Sequence, residues 1–187
     1  MNTSEIVKQM TQVFSNYEQA HSLLIDKWFE LIFLTPRWWL GLSLGIIPWL
    51  IWWKIHNKKY TGDLLRAGLF MTSISLILDS LGIQLGLWIY PYDVFPFIPG
   101  YFPWDLTILP VTMMVLIEIK PKLNPIYKGI MYSSFSSFIG EPIAIFIKLY
   151  EPIHWKHYYS FPIYILLFLI TNKVAKSKLF NSNMSVD

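Results

Sequence analysis

The chain has 187 residues, of which 54% are hydrophobic, 18% aromatic and only 14% charged, with a formal net charge of +3. Water-soluble domains carry about 25% charged residues, so this composition excludes an ordinary soluble domain. The absence of cysteine excludes disulfides, iron–sulfur clusters, thiolate zinc sites and cysteine nucleophiles together.

The start, Met1-Asn2-Thr3-Ser4-Glu5, has neither the basic nor the apolar region of a cleaved secretion signal. From there to residue 34, Ile6, Met10, Val13, Tyr17, Ala20, Leu24, Trp28 and Leu31 recur at three- and four-residue steps, with Gln9, Gln12, Asn16 and Gln19 between them. That spacing predicts an amphipathic helix with one apolar stripe, ended by Pro36. Lys8 and Lys27 stand against Glu5, Glu18, Asp26 and Glu30, a local charge of −2 that disfavours anionic lipid as its target. Two readings remain: a helix lying on the outer surface of a membrane bundle, or one that docks a protein partner through residues 1–34.

Five apolar stretches follow, near Trp38–Trp53, Ala67–Trp88, Asp105–Ile119, Ile130–Tyr150 and Trp155–Ala175. A bilayer core is crossed by about 20 helical residues, so each is a candidate span. The expected fold is an all-α, multi-pass membrane bundle of five transmembrane helices over 36–178. An amphipathic N-terminal helix over 1–35 precedes it and a tail over 179–187 follows. Trp38, Trp39, Trp52 and Trp53 occupy interfacial belt positions of the first span, and Gly41 and Gly45 there have G-x-x-x-G packing spacing. Lys54, Lys58, Lys59 and Arg66 fill the first connection, Lys120, Lys122 and Lys128 the third, and Lys173, Lys176 and Lys178 follow the last span. The second connection has no basic residue, and the fourth has Lys156 with Lys148 just before it. The positive-inside rule then places the C-terminus in the cytoplasm and, with five spans, the N-terminus outside a bacterial cell membrane.

Polar residues at membrane depth mark where chemistry would lie. On the second span Gly68, Thr72, Ser75, Asp79, Gly82 and Gly86 follow a 4-3-4-3-4 rhythm along one face; on the fourth, Ser134, Ser137, Glu141, Ala144 and Lys148 follow 3-4-3-4. Asp79 and Glu141 each lie about 13 residues from the basic end, roughly 20 Å along a helix axis, so they fall at similar depth and are placed to meet. Inserting a carboxylate there costs about 2.5–3.5 kcal/mol, which makes each a candidate ligand or proton site. The plainer reading is a helix-packing hydrogen bond. Pro142 removes a backbone bond after Glu141 and is expected to kink the fourth span. Asp105 reads as a helix cap or, with Thr112 on the same face, as the guard of an entrance.

Prolines at 91, 96, 99 and 103 stiffen the aromatic connection from Tyr90 to Trp104, which reads as an interfacial plug or as a lid over a cavity. His154 and His157 form a His-x-x-His pair, a weak metal candidate beside the plainer reading of interfacial histidines.

The ordered set Trp88-Ile-Tyr-Pro91, Pro103-Trp-Asp-Leu-Thr107 with Pro110, Gly140-Glu-Pro142, and Tyr150 through Trp155 to Tyr159-Ser160 resembles a family of small polytopic membrane proteins of spore-forming Firmicutes. The resemblance covers roughly residues 38–175 and implies a bacterial plasma-membrane protein without implying an activity. A looser analogy runs to the small membrane-embedded lycopene cyclases, whose Pro-Glu-Glu signature is absent here; Glu141-Pro142 has the order reversed.

Three functions fit. The first is a binder holding a lipid, small amphiphile or cation in an outward-facing intramembrane pocket lined by Asp79, Glu141, Asp105, Ser75, Thr72, Ser137 and Lys148, with proton uptake coupled to occupancy. The second is an enzyme acting on an isoprenoid or other lipid through carboxylate acid/base chemistry. The third is a structural subunit of a membrane complex. No cofactor is expected, and neither a Gly-x-Ser-x-Gly elbow, a His-Glu-x-x-His zinc motif, a Walker loop nor a Rossmann fingerprint occurs. Nucleotide and nucleic acid are therefore disfavoured as partners, the basic residues being spread over loops rather than gathered in a patch.

Overall fold

Two short caps start the frame. Thr35 accepts the Trp38 N–H (3.3 Å) ahead of Pro36, and Asn124 accepts the Ile126 N–H (2.9 Å) ahead of Pro125. In both, proline takes the first helical turn, where its missing N–H has no intrahelical partner to lose. The computed structural model describes residues 2–177; the expected tail 179–187 and Lys178 lie outside them. Within them the chain is all-helical apart from one two-residue ladder. The helices are α1 (Thr3–Leu31), α2 (Pro36–Ile55), α3 (Thr61–Gln84), α4 (Leu109–Glu118), α5 (Pro125–Phe135), α6 (Glu141–Phe146) and α7 (His157–Lys176).

Three helices are long and apolar enough to cross a membrane: α2, α3 together with the single turn before it, and α7. The other two expected spans are helical rods interrupted by π turns. Trp104–Ile108 runs into α4, and Ser136–Gly140 joins α5 to α6. Each π turn comes just before a proline, Pro110 or Pro142, so the proline is accommodated by a wider turn. Such turns recur where a helix must re-aim a side chain.

The core is built by α3 packing on α4 and α7, and by α5 packing on α7. Trp52, Ala67, Met71, Met113, Met114 and Phe168 are fully buried there. Gly68 admits Met114, whose Sδ would lie 2.7 Å from an added Cβ. Gly41 serves packing as expected, but against a loop: its missing Cβ leaves room for Val94.

The two ends differ in character. At one end Arg66 donates to the Ala175 carbonyl (3.2 Å), and Lys128 donates to the carbonyls of Leu116 (2.8 Å), Ile117 (3.2 Å) and Ile119 (2.5 Å). At the other, strands β1 (Trp88–Ile89) and β2 (Glu151–Pro152) pair antiparallel, with Trp88 opposite Pro152, and the Leu87 carbonyl accepts from Ile153 and His154 (2.9 Å each). Arg37 clips the same two connections, donating to the Ile147 carbonyl (3.2 Å) and to the Tyr92 hydroxyl (3.3 Å). Helix α1 meets this end through Trp28, its one buried residue, which donates to the Asp93 carbonyl (2.7 Å). Ile6, Met10, Val13, Tyr17 and Leu24 of its stripe are exposed.

Candidate functional site

Asp79 sits on the buried face of α3, 6% exposed, where the sequence rhythm places it. Three donors converge on it from the aromatic connection: Trp88 Nε1 (2.7 Å) and the Tyr90 hydroxyl (2.7 Å) on Oδ1, and the Tyr101 N–H (2.8 Å) on Oδ2. Trp88 and Tyr90 are two residues apart in extended chain, so their side chains leave the same face and reach one acceptor. Gly82, one turn along α3, makes room for the indole; an added Cβ would stand 2.0 Å from Trp88. The connection is thus fastened to the helix bundle through Asp79.

Asp105 is a correction to the sequence reading. It caps no helix: it is the second residue of the first π turn, 1% exposed, and its carboxyl lies in hydrogen-bonding reach of Asp79. Gly100 lies against the pair, an added Cβ falling 3.2 Å from Asp105 Oδ2 and 3.7 Å from Asp79 Oδ2. The π turn also frees the Asp105 carbonyl, because Leu109 N bonds to Trp104 and Pro110 has no N–H to give. Ser75 donates to that carbonyl (3.1 Å), which makes it a helix-packing residue. Trp49 fills the next gap, donating to the Leu106 carbonyl (2.9 Å).

Glu141 begins α6, 5% exposed, with the hydroxyls of Ser160 and Tyr164 on α7 as its polar neighbours. Its Oε2 has no hydrogen-bond partner. Asp79 and Glu141 make no hydrogen bond to each other; they border one cavity of about 340 Å³, and Tyr150 stands near enough to both to feel each charge. Asp105 and Ser75 also border it, as do the rings of Trp88, Trp104 and Trp155. Leu78, Ile143 and Ile163 border it too and are also exposed (41%, 54% and 37%), so the cavity wall there reaches the outside of the bundle.

The remaining candidates lie elsewhere. Thr72 is half-buried and gives only its carbonyl to Ser75, and Ser137 is fully buried with an unpartnered hydroxyl away from the cavity lining. Lys148 follows the end of α6 in a turn at φ +65°, exposed and paired with Glu151 (3.1 Å), because the rod ends before the 3-4-3-4 rhythm reaches it. Gly86 likewise lies past the end of α3, at φ +68°. Thr112 donates to carbonyls of its own rod and does not border the cavity. His154 is exposed, His157 packs edge-on against Phe138, and among the described residues no three His, Asp or Glu side chains gather as a metal site.

Outside the helices, Asp93 is half-buried under α1, and burial pushes its carboxyl up to about 7. Sequence reasoning missed Asp93, Ser160 and Tyr164, and the role of Trp88 and Tyr90. For the last two the i, i+2 spacing beside Pro91 was the available signal. Set against known protein families, curated proteins and solved structures, the chain has no match in any of the three.

Proposed function

We propose that the chain is a five-span protein of a bacterial plasma membrane, N-terminus outside and C-terminus cytoplasmic, of the small polytopic Firmicutes kind that residues 38–175 resemble, and that it binds a small amphiphile in the cavity beneath its outer loops. The observation that carries the reading is the cavity itself, about 340 Å³ with the unpartnered Glu141 Oε2 on its wall. An orphaned buried carboxylate oxygen costs free energy that a ligand group would recover. The first interrupted rod fits a span because its freed carbonyls, at Asp105 and Leu106, are met by Ser75 and Trp49 from neighbouring helices, as lipid demands. The gathering of basic residues at the end opposite the ladder supports the orientation. Arg37, at the ladder end, is already engaged by Tyr92 and Ile147.

The enzyme reading asks two carboxylates to reach one substrate, whereas three donors already occupy Asp79; that favours binding over acid/base chemistry. The exposed stripe of α1 favours a protein partner as a second, additional role. Native mass spectrometry of the detergent-purified protein beside Glu141→Gln tests the binding reading. A discrete small molecule retained by the wild type and lost from the variant is expected. No bound species in either, at equal thermal stability, would sink it.

A further inference from the structure

Asp79 has little left to offer a ligand, since Trp88, Tyr90 and Tyr101 donate to it and Asp105 lies against it. Asp105 Oδ2 is also without a hydrogen-bond donor, but it is turned toward Asp79 and Gly100; Glu141, 95% buried on the cavity wall, holds its unpartnered oxygen away from any other carboxylate. Among the described residues no lysine, arginine or histidine borders the cavity, so the carboxylate has no counter-cation there. Aromatic rings form part of the wall around it, with Trp88 packed on both Tyr150 and Trp155, and Tyr164 beside Glu141. Ring faces attract cations, more strongly when water is excluded. An anionic ligand would meet like charge wherever a carboxyl is ionised, and a divalent metal needs about six oxygen ligands where only Glu141 and Asp105 hold an unpartnered oxygen. A neutral lipid offers Glu141 a hydrogen bond but no counter-charge, so it gains less than a cation paired with the ionised carboxylate.

We propose that the cavity selects a lipophilic organic monocation, an amine or quaternary ammonium, with its charge at Glu141, its apolar body against the rings and its tail toward the exposed edge at Leu78, Ile143 and Ile163. This rests on the binding reading above and specifies its ligand. The chemistry recognised is the ammonium group with an apolar substituent, whether carried by a metabolite, a lipid or a xenobiotic.

Benzyltrimethylammonium and neopentylbenzene, its uncharged carbon isostere, separate charge from shape. Binding of each to the full-length protein in a neutral detergent is read by intrinsic tryptophan quenching and by shift in Tm. The wild type is expected to prefer the ammonium at least tenfold, and Glu141→Gln to lose that preference while still binding the isostere. Because the variant risks misfolding, a second measurement uses the wild type alone: a hydrophobic carbodiimide should modify Glu141, and benzyltrimethylammonium should slow that modification several-fold. Equal affinity for the two isosteres, or no protection of Glu141, overturns the cation inference and leaves the binding reading standing. Binding of neither compound overturns both.

Discussion

Lys128 closes the end of α4 with its ammonium, taking carbonyls that the helix itself leaves without donors. It is 3% exposed, so Lys128→Met leaves those carbonyls dry rather than wet. A loss of about 2 kcal/mol or more is expected, since charge-assisted bonds are worth roughly 1.5–3 kcal/mol; Lys120→Met, on an exposed turn, is the control in the same melt. At Gly82 the obstacle is steric: Gly82→Ala drives a methyl into the Trp88 indole and should lower Tm by several degrees. Adding Trp88→Leu should recover part of that loss, and strict additivity of the two changes would refute the contact. Asp93 gives a pH signature. Its folded carboxyl titrates near 7 against an ordinary 3.8, so the folded state holds the proton more tightly. Its contribution is therefore favourable below about pH 4 and is lost as pH rises through about 7. Asp93→Asn should keep its stability over that interval where the wild type declines; parallel melting curves would contradict the assignment.

At the scale of elements, the two π turns decide which side chains face the cavity. Pro110 and Pro142 forbid a regular helical bond, the chain widens by one residue, and Asp105 and Glu141 are re-aimed inward. Trp49 holds one freed carbonyl, so Trp49→Phe should cost about 1 kcal/mol and loosen the first turn, seen as faster amide exchange over 104–111. The helices were legible because apolar length and proline–asparagine punctuation are local properties. Their limits were less so. Asn124-Pro125 starts α5 five residues before the apolar run at Ile130, and Gly86 ends α3 short of Trp88. The Asp79 position followed from helical spacing alone. Its partners did not, because Tyr101 and Asp105 approach it through a long connection and a π turn that periodicity cannot register. Lys148 failed for the same reason in reverse, as the rhythm was carried past the end of α6.

For the whole molecule, the absence of native cysteine makes the orientation directly testable. A membrane-impermeant maleimide should label Ser4→Cys in intact cells and Ser177→Cys only after lysis; the opposite pattern would invert the proposed topology. The connections at the ladder end are joined by the ladder, by Arg37 and by the Asp79 donors, so opening from that side means breaking all three together. Among the described residues, no such fastening spans the exposed cavity edge at Leu78, Ile143 and Ile163. In the proposed five-span arrangement a molecule entering there would be drawn from the bilayer, at its concentration in lipid rather than in water. Within a homologous series the apparent aqueous affinity would then rise about fourfold per added methylene, the ~0.8 kcal/mol by which each one partitions into hydrocarbon, even where every member makes the same contacts inside.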